Sequence, residues 1–496
     1  MTGAGIQDHD VPDSDDFVVT PGAGGPDWHL GSVVYEIFPD RFASNGRRGD
    51  APPWAVRRDW DDLPTGRGHD TPFELYGGEL HGIEERLDHI ERLGANVIYL
   101  TPIFPAGSTH RYDATSFGRI DPLLGGDEAL QSLVRAAHER GLRVIGDLTL
   151  NHTGDKHEWF AAAREGGEER GFYLFDDQGG YEAWLGHKSL PKLDHRDEEL
   201  RRRFYEDEDS IARRWLDAGL DGWRVDVANM TGRWHDVDLH RDVARAMREA
   251  VGEKLLVAEH GHDYREDLPG DGWHGAMNYA GFLRPVWCWL RRDDLPHELQ
   301  RSFWGLPVGV PKLSGVQVTN TMRRFRAGLP WRSVLNSWTL LDSHDTARFR
   351  TVAGERHLVG IGLQMTTPGV PMLFAGDEVG LEGAWGEDAR RTMPWDRPDA
   401  WDTGLFETYR ELIELRRSSD ALARGGLRYV HVSADAVAYL RETRSERLLC
   451  LAARAPHEPV RVPWRDLETL YGADANEGTL PADGPAFHVW RVGGSS

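Results

Sequence analysis

Four carboxylates, Asp147, Asp226, Glu259 and Asp345, each stand at or just past the end of a short β-rich run. No other feature of the chain restricts its fold as strongly. Strands alternating with helices suit either a doubly wound sheet or a parallel barrel, and a count of strands does not separate them. Carboxylates ending four separate strands point to the barrel, because a barrel gathers its strand ends, and with them its reactive groups, on one face.

The β-rich runs are VVYEIF (33–38), NVIYL (96–100), RVIGDLTL (143–150), GWRVDV (222–227), KLLVAE (254–259), AMNYA (276–280), WTLLDS (338–343) and PMLFAG (371–376). Amphipathic helix patterns such as IEERLDHIERLG and DEALQSLVRAAHERG lie between them, the second placing Leu130, Leu133, Val134 and Ala137 on one face. The stretch 151–197 is too long for an ordinary strand-to-helix loop and reads as a lobe inserted after the third strand. After Arg424 the texture changes to alternating runs (RYVHVSADAVAYLRE, RLLCLAA, PVRVPW) that predict antiparallel strands. The expected architecture is therefore an α/β chain. It has a flexible acidic leader (1–27), a (β/α)8 TIM barrel (28–424) carrying the lobe, and a C-terminal β-sandwich (425–496). At 496 residues the chain exceeds the roughly 250–300 at which one core stops growing, so more than one domain is expected.

A net charge of −23 argues against nucleic acid and against an anionic membrane surface, both of which need basic residues. No apolar run reaches the roughly 18 residues of a membrane span and no secretory leader is visible, so a cytoplasmic location is the expectation. Cys288 and Cys450 lie in separate apolar stretches and read as buried thiols, not a disulfide or metal pair. Nineteen tryptophans offer flat faces for sugar rings, although most are expected to serve packing.

Cleavage of a glycosidic bond with retention needs two carboxyl groups about 5–5.5 Å apart, one to attack the anomeric carbon and one to protonate the leaving oxygen. Asp226 and Glu259 end consecutive strands and suit that pair. Arg224 lies two residues before Asp226, on the same strand face, where its charge would hold Asp226 ionised. Glu259 follows the apolar run LLVA, which would raise its pKa toward that of an acid. A lone Asp–Arg pair is ordinarily a structural ion pair; four carboxylates at four strand ends shift the balance to chemistry.

These segments resemble the four short regions of the α-amylase family, glycoside hydrolase family 13, in family order: DLTLNH (147–152), GWRVDVAN (222–229), VAEH (257–260) and LLDSHD (340–345). VVYEIFPDRF, HRYDATSF (110–117) and FAGDE (374–378) add to the likeness. The resemblance implies a retaining α-glucan hydrolase with Asp226 as nucleophile, Glu259 as acid/base and Asp345 as the third carboxylate, on the sugar's hydroxyls. It implies His152, Arg224 and His344 as clamps on that sugar, Tyr112 as the platform beneath it, and Asp147 as a structural support. SLPKLD (189–194) and the Val-Ala-Asn run resemble neopullulanases and cyclomaltodextrinases, which would put Asn229 on the acceptor side and imply short, cyclic or branched maltooligosaccharides as substrates. A glucan transferase or isomerase would use the same residues, and a sugar-binding protein without catalysis would be expected to lose a carboxylate.

Several departures from that subfamily carry expectations of their own. The first strand begins near residue 33, so the N-terminal domain through which those relatives dimerise is not expected, and a homodimer is left open. Met230 replaces an acidic residue beside Asn229. The donor-side loop reads Gly386-Glu387-Asp388-Ala389-Arg390, retaining Arg390 but not the family aspartate. Calcium needs six to eight oxygen ligands. SNGRRGD (44–50) offers arginines there, GGEL (77–80) has Glu79 for Asp, and Lys192 stands where calcium-dependent relatives are acidic. No metal and no cofactor are expected.

Overall fold

A computed structural model of the chain describes residues 20, 24–46, 50–303 and 306–493. The 1–27 leader falls almost wholly outside the described residues, as do Arg47 and Arg48 of the SNGRRGD loop.

Eight parallel strands form one sheet: β1 (Val34–Ile37), β2 (Val97–Leu100), β3 (Arg143–Leu148), β4 (Gly222–Val225), β5 (Leu255–Ala258), β6 (Gly275–Ala276), β7 (Trp338–Leu340) and β8 (Val370–Phe374). They coincide with the eight expected runs. Their order is β6-β5-β4-β3-β2-β1-β8-β7, and a parallel bridge from Met277 to Trp338 joins the two edge strands. The Asn278 amide donates to the Trp338 carbonyl at 2.9 Å across the same seam. The sheet thus curls into the TIM barrel, and every strand but β3, whose Arg143 is exposed, is buried along its whole length. Buried parallel strands read as continuous apolar runs because both faces are covered.

Helix α3 (Gly126–Glu139) buries Ala129, Leu130, Leu133, Val134 and Ala137, the face its spacing predicts. The IEERLDHIERLG pattern, by contrast, is divided into α1 (Leu80–Glu85) and α2 (Leu87–Leu93) at Arg86, whose φ of −110° and ψ of 11° leave the helical region. In AMNYA only the first residue is strand. Asn278 accepts from the Gly281 amide at 2.9 Å and starts a π-helical turn over Tyr279–Leu283. A side chain that bonds its own downstream backbone competes with strand pairing, which shortens β6. Glu79, one of the calcium-site departures, caps α1 by accepting from the amides of His81 and Gly82, each at 2.7 Å.

Between β3 and β4 the chain makes short helices, isolated bridges and an aromatic cluster in which Phe160, Tyr173, Phe175 and Tyr181 pack edge and face. The C-terminal region forms one antiparallel sheet of β9 (Gly426–Val432), β10 (Ala436–Glu442), β11 (Arg447–Ala453), β12 (Leu467–Tyr471) and β13 (Ala486–Val492), in the order β9-β10-β11-β13-β12. Strand alternation sends Val437, Tyr439, Leu448 and Cys450 into the core shared with the barrel helices, and Ala438, Leu440, Leu449 and Leu451 to the opposite face. That second face is covered by Val460, Val462, Trp464 and Leu480 from the connections. A loop layer therefore stands where the expected sandwich has a second sheet. PVRVPW supplies part of this cover through a single antiparallel bridge, Arg461 to Thr479, which the flanking Pro459 and Pro463, lacking amides, do not extend into a strand. The seam with the barrel is tight: a Cβ on Gly362 of helix α4 (His357–Thr366) would lie 2.1 Å from the Phe487 ring. Cys288 and Cys450 are buried free thiols. Among the described residues no helix is long and apolar enough to cross a membrane.

Candidate active site

Asp147 ends β3 from inside the strand, Asp226 and Glu259 follow β4 and β5 directly, and Asp345 lies in the loop after β7. All four occupy the C-terminal face of the barrel. At their centre is the fully buried Arg224. Its Nη1 donates to both oxygens of Asp147 at 2.9 Å and to Asp226 Oδ1 at 3.0 Å, and its Nη2 stands at ion-pair distance, 3.0 Å, from Glu259 Oε2. One guanidinium thus serves three carboxylates, and Asp226 and Glu259 are neighbours across two nitrogens of the same group.

That sharing changes the expected electrostatics. Arg224 does not belong to Asp226 alone. Burial, then the charge of Glu259, raise the Asp226 carboxyl well above its ordinary value despite Arg224. Burial also raises Glu259, against the pull of Arg224. The expectation of a raised Glu259 holds; Arg224 favours the charged form of Asp226 as expected, but burial and Glu259 outweigh it. The two carboxyls titrate as a pair, and its protons belong to both.

The backbone is bent to serve this pair. Val227, a β-branched residue directly after Asp226, has φ 36° and ψ 44°, a left-handed conformation that costs a residue of this type energy. It aims the Val227 amide at Glu259 Oε2, 2.7 Å away. The turn continues into Ala228–Met230, where the Asn229 carbonyl accepts from Arg233 at 2.9 Å.

Asp345 sits nearer the mouth, its side chain 30% exposed against 8% for Asp226 and 9% for Glu259. Arg390 Nη2 donates to it at 3.0 Å, and Arg390 Nε donates to the His344 carbonyl at 2.8 Å. Burial opposes its charge, but His344 and Arg390 outweigh burial and hold the Asp345 carboxyl below its ordinary value. The altered donor loop therefore delivers its arginine onto the third carboxylate.

The two histidines of the expected clamp differ. His152 is buried beside Asp226, 3.8 Å from Nε2 to Oδ2, and burial, then the Lys192 charge, depress its pKa to about 3. Its Nε2 has no protein partner. Lys192 comes from the inserted segment and donates to the Met230 carbonyl at 2.9 Å and to Asn151 beside His152. His344 lies between Glu36 and Asp345; burial opposes its charge, but the two carboxylates raise its pKa above the usual histidine value. Tyr112 stacks on His344 at 5.6 Å with ring planes 9° apart, and its hydroxyl lies 3.0 Å from Asp147 and 2.7 Å from His344 Nε2. Arg111, with φ 63°, turns the chain so that this ring faces inward.

The structure thus brings together Asp226, Glu259, Asp345, Tyr112, His152, Arg224, His344 and Arg390, with Asn229 on the adjoining turn. Sequence reading passed over two members. Tyr99 donates to Asp147 at 2.6 Å, and Glu36, inside β1, contacts His344 Nδ1 at 2.5 Å. A charge in the middle of the run VVYEIF was the available signal for Glu36, since a buried carboxylate requires a partner.

A closed parallel barrel that gathers carboxylates from four strand ends, three of them on one arginine, is the arrangement of a glycoside hydrolase. The chain belongs to the α-amylase family, glycoside hydrolase family 13. Residues 36–269 match the family model for the α-amylase catalytic domain. Neopullulanase 2 of Thermoactinomyces vulgaris is 33% identical over 428 residues, covering 84% of this chain and 67% of that protein. A Bacillus cyclomaltodextrinase is 30% identical, covering 86% of this chain and 73% of its own. Among solved structures, the ligand-free cyclic α-maltosyl-(1→6)-maltose hydrolase of Arthrobacter globiformis superposes with a TM-score of 0.77 at 30% identity, covering 94% of this chain and 99% of that one.

Proposed function

We propose that the protein hydrolyses α-glucosidic bonds, α-1,4 and also α-1,6, in short, cyclic or branched maltooligosaccharides with retention of configuration. The observation that carries this reading is the placement of Asp226 and Glu259 at the ends of adjacent strands, each 3.0 Å from a nitrogen of the same buried Arg224 guanidinium. One protonated and one ionised carboxyl is the resting state a retaining glycosidase requires.

In the first step Asp226 attacks the anomeric carbon while Glu259 gives its proton to the leaving glycosidic oxygen, producing a glycosyl ester on Asp226 and a free sugar hydroxyl. In the second, water gives a proton to Glu259 and its oxygen displaces Asp226 from the anomeric carbon, restoring both groups. Asp345, kept ionised by Arg390 and His344, binds hydroxyls of the sugar at the cleaved bond. His152 offers its unpartnered Nε2 to the same ring, Tyr112 faces it, and Asn229 lines the acceptor side. The relatives' names support substrates that are cyclic or carry α-1,6 bonds.

The test is a product time course on γ-cyclodextrin, pullulan, maltotriose, panose and a cyclic α-1,6-containing tetrasaccharide, with the anomer of the first product read by NMR. Release of α-configured short maltooligosaccharides supports the reading. A β-configured first product removes retention, and longer or rearranged oligosaccharides dominating at high maltose replace the hydrolase with a transferase. Asp226→Asn is expected to lower turnover by at least about a thousandfold while binding persists.

A further inference from the structure

Glu36 is fully buried in β1, 308 residues from its partner in sequence. Its Oε1 lies 2.5 Å from His344 Nδ1, and its Oε2 has no partner. Burial pushes the Glu36 carboxyl above its ordinary value, and His344, followed at longer range by Arg224, opposes that shift.

The hydrogen bonds around His344 decide its protons. Asp147 accepts two bonds from Arg224 and one from Tyr99, so its oxygens act as acceptors. The Tyr112 hydroxyl lies within reach of Asp147 and His344 Nε2 together, and it has one proton. Asp147 can only accept, so that proton goes to Asp147. His344 Nε2 must then donate to the Tyr112 oxygen, while Nδ1 and Glu36 Oε1, 2.5 Å apart, hold a proton between them.

We propose that Glu36 is a positioning residue for glycoside hydrolysis: it holds His344 doubly protonated, so that Nε2–H is a fixed charged donor between Tyr112 and Asp345. Asp345 Oδ1 lies 3.3 Å from that nitrogen. The imidazolium thus keeps Asp345 ionised, the form that accepts hydrogen bonds from hydroxyls of the bound sugar. Stacking on Tyr112 fixes the ring plane. The charged groups facing His344 are Glu36 from β1, Asp147 from β3 through Tyr112, and Asp345 and Arg390 from the loops after β7 and β8; Arg224 and His110 complete the surround. Its positioning role in catalysis rests on the proposed function, which sets His344 and Asp345 against the sugar; the charge of the dyad does not.

Two measurements test it. In protein labelled with nitrogen-15 histidine, His344→Gln identifies the His344 signals. In the unaltered enzyme they are expected to remain those of a doubly protonated ring past about pH 7.5, and in Glu36→Gln to titrate at least about one unit lower. A singly protonated His344 at about pH 6 in the unaltered enzyme, or an unchanged titration in Glu36→Gln, overturns the proposal. The first of these needs no folded Glu36 variant. The second measurement is kcat and KM on γ-cyclodextrin against pH. Glu36→Gln is expected to lose about tenfold in kcat/KM near pH 8 and little near pH 5.5, an effect absent when His344→Gln is already present. A loss equal at every pH makes Glu36 a packing residue only. If the unaltered enzyme cleaves no glucan while His344 titrates as expected, the proposed function falls and the charged dyad stands.

Discussion

On the β4–β5 side of the cup, Asp226 and Glu259 divide one arginine with Asp147, and burial drives both their pKa values up. Across the cup, Asp345 has His344 and Arg390 beside it and is driven down. The histidines follow the same division: burial and Lys192 push His152 down to about 3, whereas the two carboxylates beside His344 raise it above the usual histidine value. Residue type does not decide protonation here. The ratio of cations to carboxylates within each half does, together with depth below the mouth. A half short of positive charge favours proton uptake by its carboxyls, and a half rich in it favours the ionised carboxylate.

Removing the shared cation should have the largest effect. Arg224→Met leaves three carboxylates facing one another in a dry site, and loss of one partner from a buried ionic group costs about 3–5 kcal/mol. Denaturation at neutral pH should show a loss of that order together with lost activity. The loss should shrink in acid, where the carboxyls take up protons. A stability equal to that of the unaltered protein at neutral pH would mean that Arg224 does not balance these charges.

A second contrast concerns sign. Asp226 has a raised folded pKa, so its ionisation costs stability as pH rises from its unfolded value through its folded one. Asp226→Asn should therefore raise Tm at neutral pH, with the gain vanishing in acid. Asp345 has a depressed folded pKa, so its stabilisation is present above the unfolded value and lost as pH falls through the folded one. Asp345→Asn should lower Tm at neutral pH, and that deficit should vanish in acid. Scanning calorimetry of both variants across pH checks this, and shifts of the same sign in both would erase the distinction between the halves.

The smallest expected effect comes from trimming the cation-rich half. Arg390→Gln leaves His344 in place, so Asp345 should remain ionised at neutral pH. KM should rise about tenfold with kcat less affected, and the acid limb of the profile should move to higher pH. An unchanged KM would remove Arg390 from substrate binding.

Much of this arrangement was legible in the chain. Eight apolar runs coincide with the eight barrel strands, because a buried parallel strand has a local signature. The carboxylates at their ends were legible for the same reason. AMNYA was misread because Asn278 turns the backbone into a helix, and PVRVPW because its flanking prolines limit it to one antiparallel bridge. Glu36 was passed over in a run read for its apolar residues.

The sequence by itself determined the strand content, the chemistry at the strand ends and the family they belong to, since short-range patterns carry all three. Which carboxylate keeps a proton was decided only by the tertiary structure. Closure of the barrel places Arg224 among three carboxylates, brings Lys192 to His152, and sets Glu36 against His344 across 308 residues. A pKa depends on distance and burial, and neither exists until the strands have closed.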